Sequence, residues 1–250
     1  YMHVMVYGEF IQSPQLQLAK KLASVLPDSL NSSYFVNSGT EAIEGAMKLA
    51  KRSTGRSEMI SCDLSYHGST QGTLSIMGTE QYKQKYRPLL PDCNRIVYND
   101  ISSLRLITSK TAAVIIEPVQ GASGFRTPEN NYLQEVRKRC TEVGALLIFD
   151  EIQTCYGRTG RLFGFQTYDV VPDILCIAKG MGGGMPIGAF ICSTALMSKL
   201  KNNPKLGHIT TFGGHPISCI AALETLNELC ETSLVEDVKS KEQLFREVLK

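Results

Sequence analysis

Short apolar runs alternate along the chain with longer stretches whose apolar positions recur every third or fourth residue. The first pattern marks strands buried on both faces of a sheet, the second helices with one buried face. By this reading residues 15–26 form an amphipathic helix with Leu16, Ala19, Leu22, Ala23 and Leu26 inward, and residues 34–37 a short strand. A second helix over 39–52 packs Ala42, Ile43, Ala46, Met47, Leu49 and Ala50 inward. Strands are predicted at 59–62, 95–98 and 112–117, the last ended by Pro118 and Gly121. A helix over 132–143 stops at Gly144. Strand-like runs follow at 145–150, 173–179 and 187–192, with helices over 218–230 and 236–250. Strands alternating with helices predict an α/β fold with a mostly parallel central sheet flanked by helices.

Two of these runs end in chemistry. Residues 145–150 stop on the carboxylate of Asp150, and residues 173–179 on the amine of Lys179. Ligands of parallel sheets bind beyond the carboxyl ends of the strands, so both groups are expected to face one crevice. A carboxylate keeps a ring nitrogen protonated, and a lysine holds an aldehyde as an imine. The pair suits pyridoxal 5'-phosphate, with Gln153 near the ring's 3'-oxygen. A free lysine ionises near 10.4, so Lys179 is expected to lie buried, where desolvation yields the neutral nucleophile.

Ser38-Gly-Thr-Glu41 is a capping box, and by itself says only that a helix starts there. It also follows a strand and opens on Gly39, so the free N–H groups at Ser38, Gly39 and Thr40 make a phosphate site. Tyr66 offers an aromatic face to a planar ring. His67 reads as structural. Thr210 and Thr211 sit in a glycine-rich loop that is either a plain turn or a source of phosphate-binding hydroxyls. The glycines at 180–184 follow Lys179 instead of preceding it and match neither nucleotide-binding spacing, and the segment 121–125 is not a nucleophile elbow.

Composition narrows the partners. The chain has 250 residues and a net charge of +2, which supplies no electrostatic case for nucleic acid or a membrane surface. No apolar run nears the roughly 18–20 residues that span a bilayer, and Tyr1–Gly8 lack the marks of a signal peptide. The 8 cysteines form no Cys-x-x-Cys pair. They are expected to be free thiols in a reducing, cytoplasmic setting, with no metal site. The chain opens mid-pattern and its last helix lacks a stop signal, as expected of a piece of a longer protein.

Taken in order, Asn37-Ser-Gly-Thr-Glu-Ala42, Tyr66-His-Gly68, Glu117-Pro-Val-Gln-Gly121, Asp150-Glu-Ile-Gln-Thr154, Gly157-Arg-Thr-Gly160, Ala178-Lys-Gly180 and Thr211-Phe-Gly-Gly214 resemble the class III aminotransferases among the fold type I pyridoxal-phosphate enzymes. The look is nearest to the acetylornithine and ornithine aminotransferase group. The resemblance implies transfer of an amino group from an amino acid or ω-amine donor to a keto acid. Aminomutase or decarboxylase chemistry, or a non-catalytic binding protein on the same fold, are the alternatives. Lys179 would carry the Schiff base and Asp150 would pair with the pyridine nitrogen, with Gln153 on the 3'-oxygen side. Gly39 and Thr40 would hold the phosphate, and Tyr66 would stack on the ring. Thr211 would reach the phosphate of a neighbouring subunit, implying a homodimer with shared active sites. Residues 1–230 would be the large cofactor-binding domain, and 231–250 the approach to a small C-terminal domain.

Ser69, Glu117, Ala122 and Thr210 would stand on the substrate side. Ser69 occupies a place usually held by a carboxylate-gripping arginine, and Ala122 one usually held by a glutamate. His215 stands where asparagine is common. A serine has neither the charge nor the fork of a guanidinium. The donor is therefore expected to shift away from acetylornithine.

Overall fold

The computed structural model describes residues 11–205 and 207–249; the leader reading at Tyr1–Gly8 and the end of the last predicted helix at Lys250 lie outside them. Seven strands, β1 (Ser32–Val36), β2 (Glu58–Cys62), β3 (Cys93–Ile96), β4 (Thr111–Ile116), β5 (Leu146–Asp150), β6 (Ile174–Ile177) and β7 (Gly188–Cys192), form one sheet in the order β1-β7-β6-β5-β4-β2-β3. Pairing is parallel from β6 to β3, and β7 runs antiparallel to both β6 and β1. The fold is thus α/β with a mostly parallel sheet.

Burial explains why the strands read as continuous apolar runs. Every residue of β4, β6 and β7 is buried. Successive side chains of a strand point to opposite faces. Accordingly Val114, Ile116, Leu147 and Phe149 join one core cluster, while Ala113, Ile115 and Ile148 join a second. The helices are α1 (Ser13–Val25), α2 (Gly39–Thr54), α3 (Gln71–Ser75), α4 (Tyr132–Val143), α5 (Phe165–Tyr168), α6 (Thr194–Met197), α7 (Pro216–Glu231) and α8 (Val238–Val248). α2 covers the second cluster with Ala42, Ile43, Ala46 and Met47; α1, α4 and α7 cover the first.

α1 departs from its predicted face. Leu18 and Leu22 are buried, with Leu26 just past the helix, while Leu16 is exposed. The inward set is the i, i+4, i+8 row, laid against α7. α4 ends as predicted at Gly144, in the left-handed conformation with φ 69°. No side chain of α8 is buried. No helix among the described residues is long and apolar enough to cross a membrane.

Candidate active site

The direction of the strands assembles the site. β1, β2, β4, β5 and β6 all run the same way, so the segments after their carboxyl ends meet. They deliver Ser38, Gly39 and Thr40, then Tyr66 and His67, Glu117, Asp150 and Gln153, and Lys179. A cavity of about 880 Å³ opens there. Ten of the sequence-predicted residues line it: Ser38, Gly39, Thr40, Tyr66, Ser69, Glu117, Ala122, Asp150, Gln153 and Lys179. Thr210 and Thr211 do not. The Thr210 hydroxyl accepts a hydrogen bond from Asn37 Nδ2 at 2.9 Å, while Thr211 is exposed outside the cavity.

Asp150 is buried and held at both oxygens. His67 Nδ1 lies 2.7 Å from Oδ2, and the Ile152 N–H donates to Oδ1 at 3.1 Å. Each carboxylate oxygen keeps a free lone pair for a further donor. Burial opposes charge on His67, but the hydrogen bond and charge of Asp150 outweigh it and raise the imidazole pKa above its ordinary value. His67 Nε2 is buried without a partner among the described residues. His67, read from the sequence as structural, thus has a specific place here: it holds Asp150. The contact joins residues 83 apart in the chain, so no local pattern reveals it.

Lys179 follows β6 in a short 3-10 turn, not at a strand end. Its φ of 46° is in the left-handed region, where a non-glycine residue costs about 1–3 kcal/mol. Its side chain is exposed on the cavity wall, not buried as the sequence reading expected, because the cavity is open there. The ammonium donates to Gln153 Oε1 at 2.8 Å.

The start of α2 is closely packed. Ser38 caps the helix by accepting from the Glu41 N–H, and Glu41 Oε2 accepts from the Asn37 N–H at 2.7 Å. A helix cannot satisfy its own first N–H groups, which leaves Gly39 and Thr40 free to meet an anion. Gly39 has no room for a side chain, since a Cβ would stand 2.6 Å from Ile152 Cδ1. Glu117 is buried at the cavity wall, accepting from the Tyr66 N–H at 2.9 Å and the Gly121 N–H at 3.2 Å. Burial first, and the Asp150 charge after it, raise its carboxyl pKa against the opposing pull of His67 and these two N–H groups. The Tyr66 hydroxyl meets Ser69 Oγ at 3.0 Å, and its ring remains partly open to the cavity.

This donor set fits pyridoxal phosphate. It combines an anion-binding helix start, an oriented carboxylate, an amine and an open aromatic face in one cavity, whose volume is in the range of small-molecule sites. Comparison with known proteins points the same way. The family model for class III aminotransferases matches residues 1–250. A putrescine aminotransferase of Pectobacterium atrosepticum is 46% identical over 230 residues, covering 88% of this chain and 49% of the relative. An acetylornithine aminotransferase of Methanopyrus kandleri is 39% identical over 241 residues, covering 96% of this chain and 61% of the relative. Among solved structures, a PLP-bound amine transaminase from an uncultivated Pseudomonas species superposes with a TM-score of 0.88 at 28% identity, covering 96% of this chain and 62% of that one. The chain thus spans about half to three-fifths of the length of the relatives it matches.

Proposed function

The chain belongs to the class III aminotransferases, and on that premise we propose that the whole protein transfers an amino group from an amine donor to a keto acid, with pyridoxal 5'-phosphate as cofactor. The observation that carries this reading is that Asp150, at the end of β5, and Lys179, in the turn after its neighbour β6, line one cavity together with the first turn of α2. When bound, the cofactor supplies an aldehyde to capture the donor's nitrogen and a cationic ring to draw electron density from the reacting carbon.

The residues divide the work. Asp150 holds the proton on the ring nitrogen, and its own orientation is held by His67 and the Ile152 N–H. The N–H groups of Gly39 and Thr40 bind the phosphate at the positive end of the α2 dipole, and the Ser38 cap fixes that turn. Gln153 would serve the ring's 3'-oxygen side, and it accepts from Lys179 Nζ. Lys179 Nζ would hold and move the proton of the donor's reacting carbon. Tyr66 covers the ring.

Among the described residues the cavity wall carries no arginine, and Ser69 and Ala122 bring no charge to the substrate side. Among these residues a donor's second carboxylate finds no fork to grip it, which favours an ω-amine without one as the donor. We further read the protein as a cytoplasmic homodimer in which Thr211 serves the neighbouring site. Its eight free cysteines suit a reducing compartment.

The test is single-turnover exposure of the full-length holoenzyme to donor alone. The cofactor's long-wavelength absorbance should fall as one equivalent of carbonyl product appears per active site, and a keto acid should restore it. Borohydride before donor should leave a cofactor-derived mass on the peptide that contains Lys179. Carbon dioxide release without carbonyl product would replace transfer by decarboxylation, and no mass at Lys179 would remove the catalytic reading.

A further inference from the structure

A second cavity, of about 770 Å³, adjoins the first, and Tyr66, Ser69 and Ala122 line both. Two of these three partition residues are among the smallest side chains available. The third turns its hydroxyl to Ser69 Oγ, so the polar end of the tyrosine is already paired at the partition. Beyond lie Leu74, Met77, Tyr82 and Tyr86, together with the uncharged polar side chains of Ser65, Gln71, Thr79 and Ser123, and among the described residues no acidic or basic side chain lines this space. Lys83, on the same stretch, spends its ammonium on the carbonyls of Ser75 and Met77; Arg95 gives its guanidinium to the carbonyl of Gly78.

We propose that the donor's chain, beyond its reacting amine, passes between Ser69 and Ala122 and is held in this second chamber as an uncharged aliphatic tail. The proposal rests on the transaminase reading above and adds to it where the tail goes and what it must be. A carboxylate in the chamber would lose its hydration with no cation to replace it. Methylene groups would meet leucine, methionine and two tyrosine faces, and each would gain the usual increment for leaving water. Continuity with the cofactor cavity favours a substrate tail over any other occupant.

The test measures binding and turnover of straight-chain primary amines from propylamine to octylamine. Calorimetry on the full-length Lys179→Ala protein, which lacks the amine that drives proton transfer, should show affinity rising roughly three- to fourfold per added methylene, the increment for burying one CH₂. The same ladder should appear in kcat/KM of the wild-type holoenzyme, and ω-amino acids of matched length should fall off it. Ala122→Trp, which blocks the passage, should shrink the octylamine-to-propylamine ratio at least tenfold. Tyr82→Ala, an exposed position where misfolding is not a concern, should weaken octylamine several-fold and spare propylamine. Affinity independent of chain length would overturn the proposal and indicate that another protein segment fills the chamber. Equal losses for long and short amines in both variants would overturn it too. A binding ladder without any turnover would keep the chamber and remove the transaminase reading, so the two fail separately.

Discussion

Asp150 and Glu151 are adjacent carboxylates with opposite fates. Asp150 looks into the cavity, whereas Glu151 turns into the core and accepts the N–H groups of Gly164 and Phe165 at 2.5 and 2.6 Å. Burial pushes the Glu151 carboxyl up to about 7, although both N–H bonds pull the other way. The sign follows from proton linkage. A raised folded-state pKa means the folded protein binds more protons than the unfolded one between the ordinary glutamate value and about 7. Stability should therefore be highest below that window and should fall as pH rises through it. The loss is on the order of 3 kcal/mol at about 1.4 kcal/mol per unit. Urea unfolding of the full-length wild type and Glu151→Gln at pH 4, 6 and 8 isolates this group, because other titrations cancel in the difference. The wild type should lose stability relative to the variant as pH rises, and a constant difference would refute the assignment. At this scale the sequence discloses Asp150 and Lys179, because each ends an apolar run. It hides the company they keep: His67 reaches Asp150, and Glu117 joins Tyr66 to Gly121, through contacts made only on folding.

The first turn of α2 makes the phosphate site an element-scale property. Gly39 is required there by space and not by backbone conformation, since its Cβ would collide with the Ile152 side chain. Gly39→Ala should push the turn and Ile152 apart and weaken cofactor binding by about tenfold, the equivalent of one hydrogen bond to a charged group. Ile152→Ala in the same protein should recover much of that loss, because it removes the colliding atoms. Cofactor titration followed by absorbance measures both, and a double variant no better than Gly39→Ala would exclude the collision as the cause. The elements that build this site were the legible ones. β4 to β7 are buried on both faces, so their apolar runs stand out whatever their neighbours. α2 carries a cap, a glycine stop and an unbroken buried face. The face of α1 was misjudged because alternative rows of apolar residues compete on that helix and only packing against α7 chooses between them. α3 is five residues long, too short to show a period, and the second cavity is walled by it together with segments whose meeting no periodicity records.

At the scale of the molecule the loop before α7 behaves as a platform. Asn37, at the entrance to α2, holds the Thr210 hydroxyl, and the next two residues then face outward: Thr211 is exposed beside the exposed ring of Phe212, with Ile209 also exposed. An exposed threonine beside exposed apolar side chains, outside the cavity, leaves room for a contact with a second copy. The assignment of Thr211 to the neighbouring site comes from the resemblance to the class III aminotransferases, and its exposure here is compatible with that role. Complementation separates this arrangement from one in which each subunit is self-sufficient. Lys179→Ala should be inactive. Thr211→Ala should bind cofactor about tenfold more weakly, the loss expected for one hydrogen bond to phosphate. Co-refolding the two full-length variants in equal amounts should make half of the dimers mixed. Each mixed dimer would hold one site with Lys179 intact and the partner subunit's Thr211 intact, so at limiting cofactor activity should recover to about a quarter of wild type. If Thr211 acts within its own subunit, no mixed dimer contains an intact site and the mixture should stay at the average of the two variants. Sedimentation of the wild type as a monomer would reject the shared site outright.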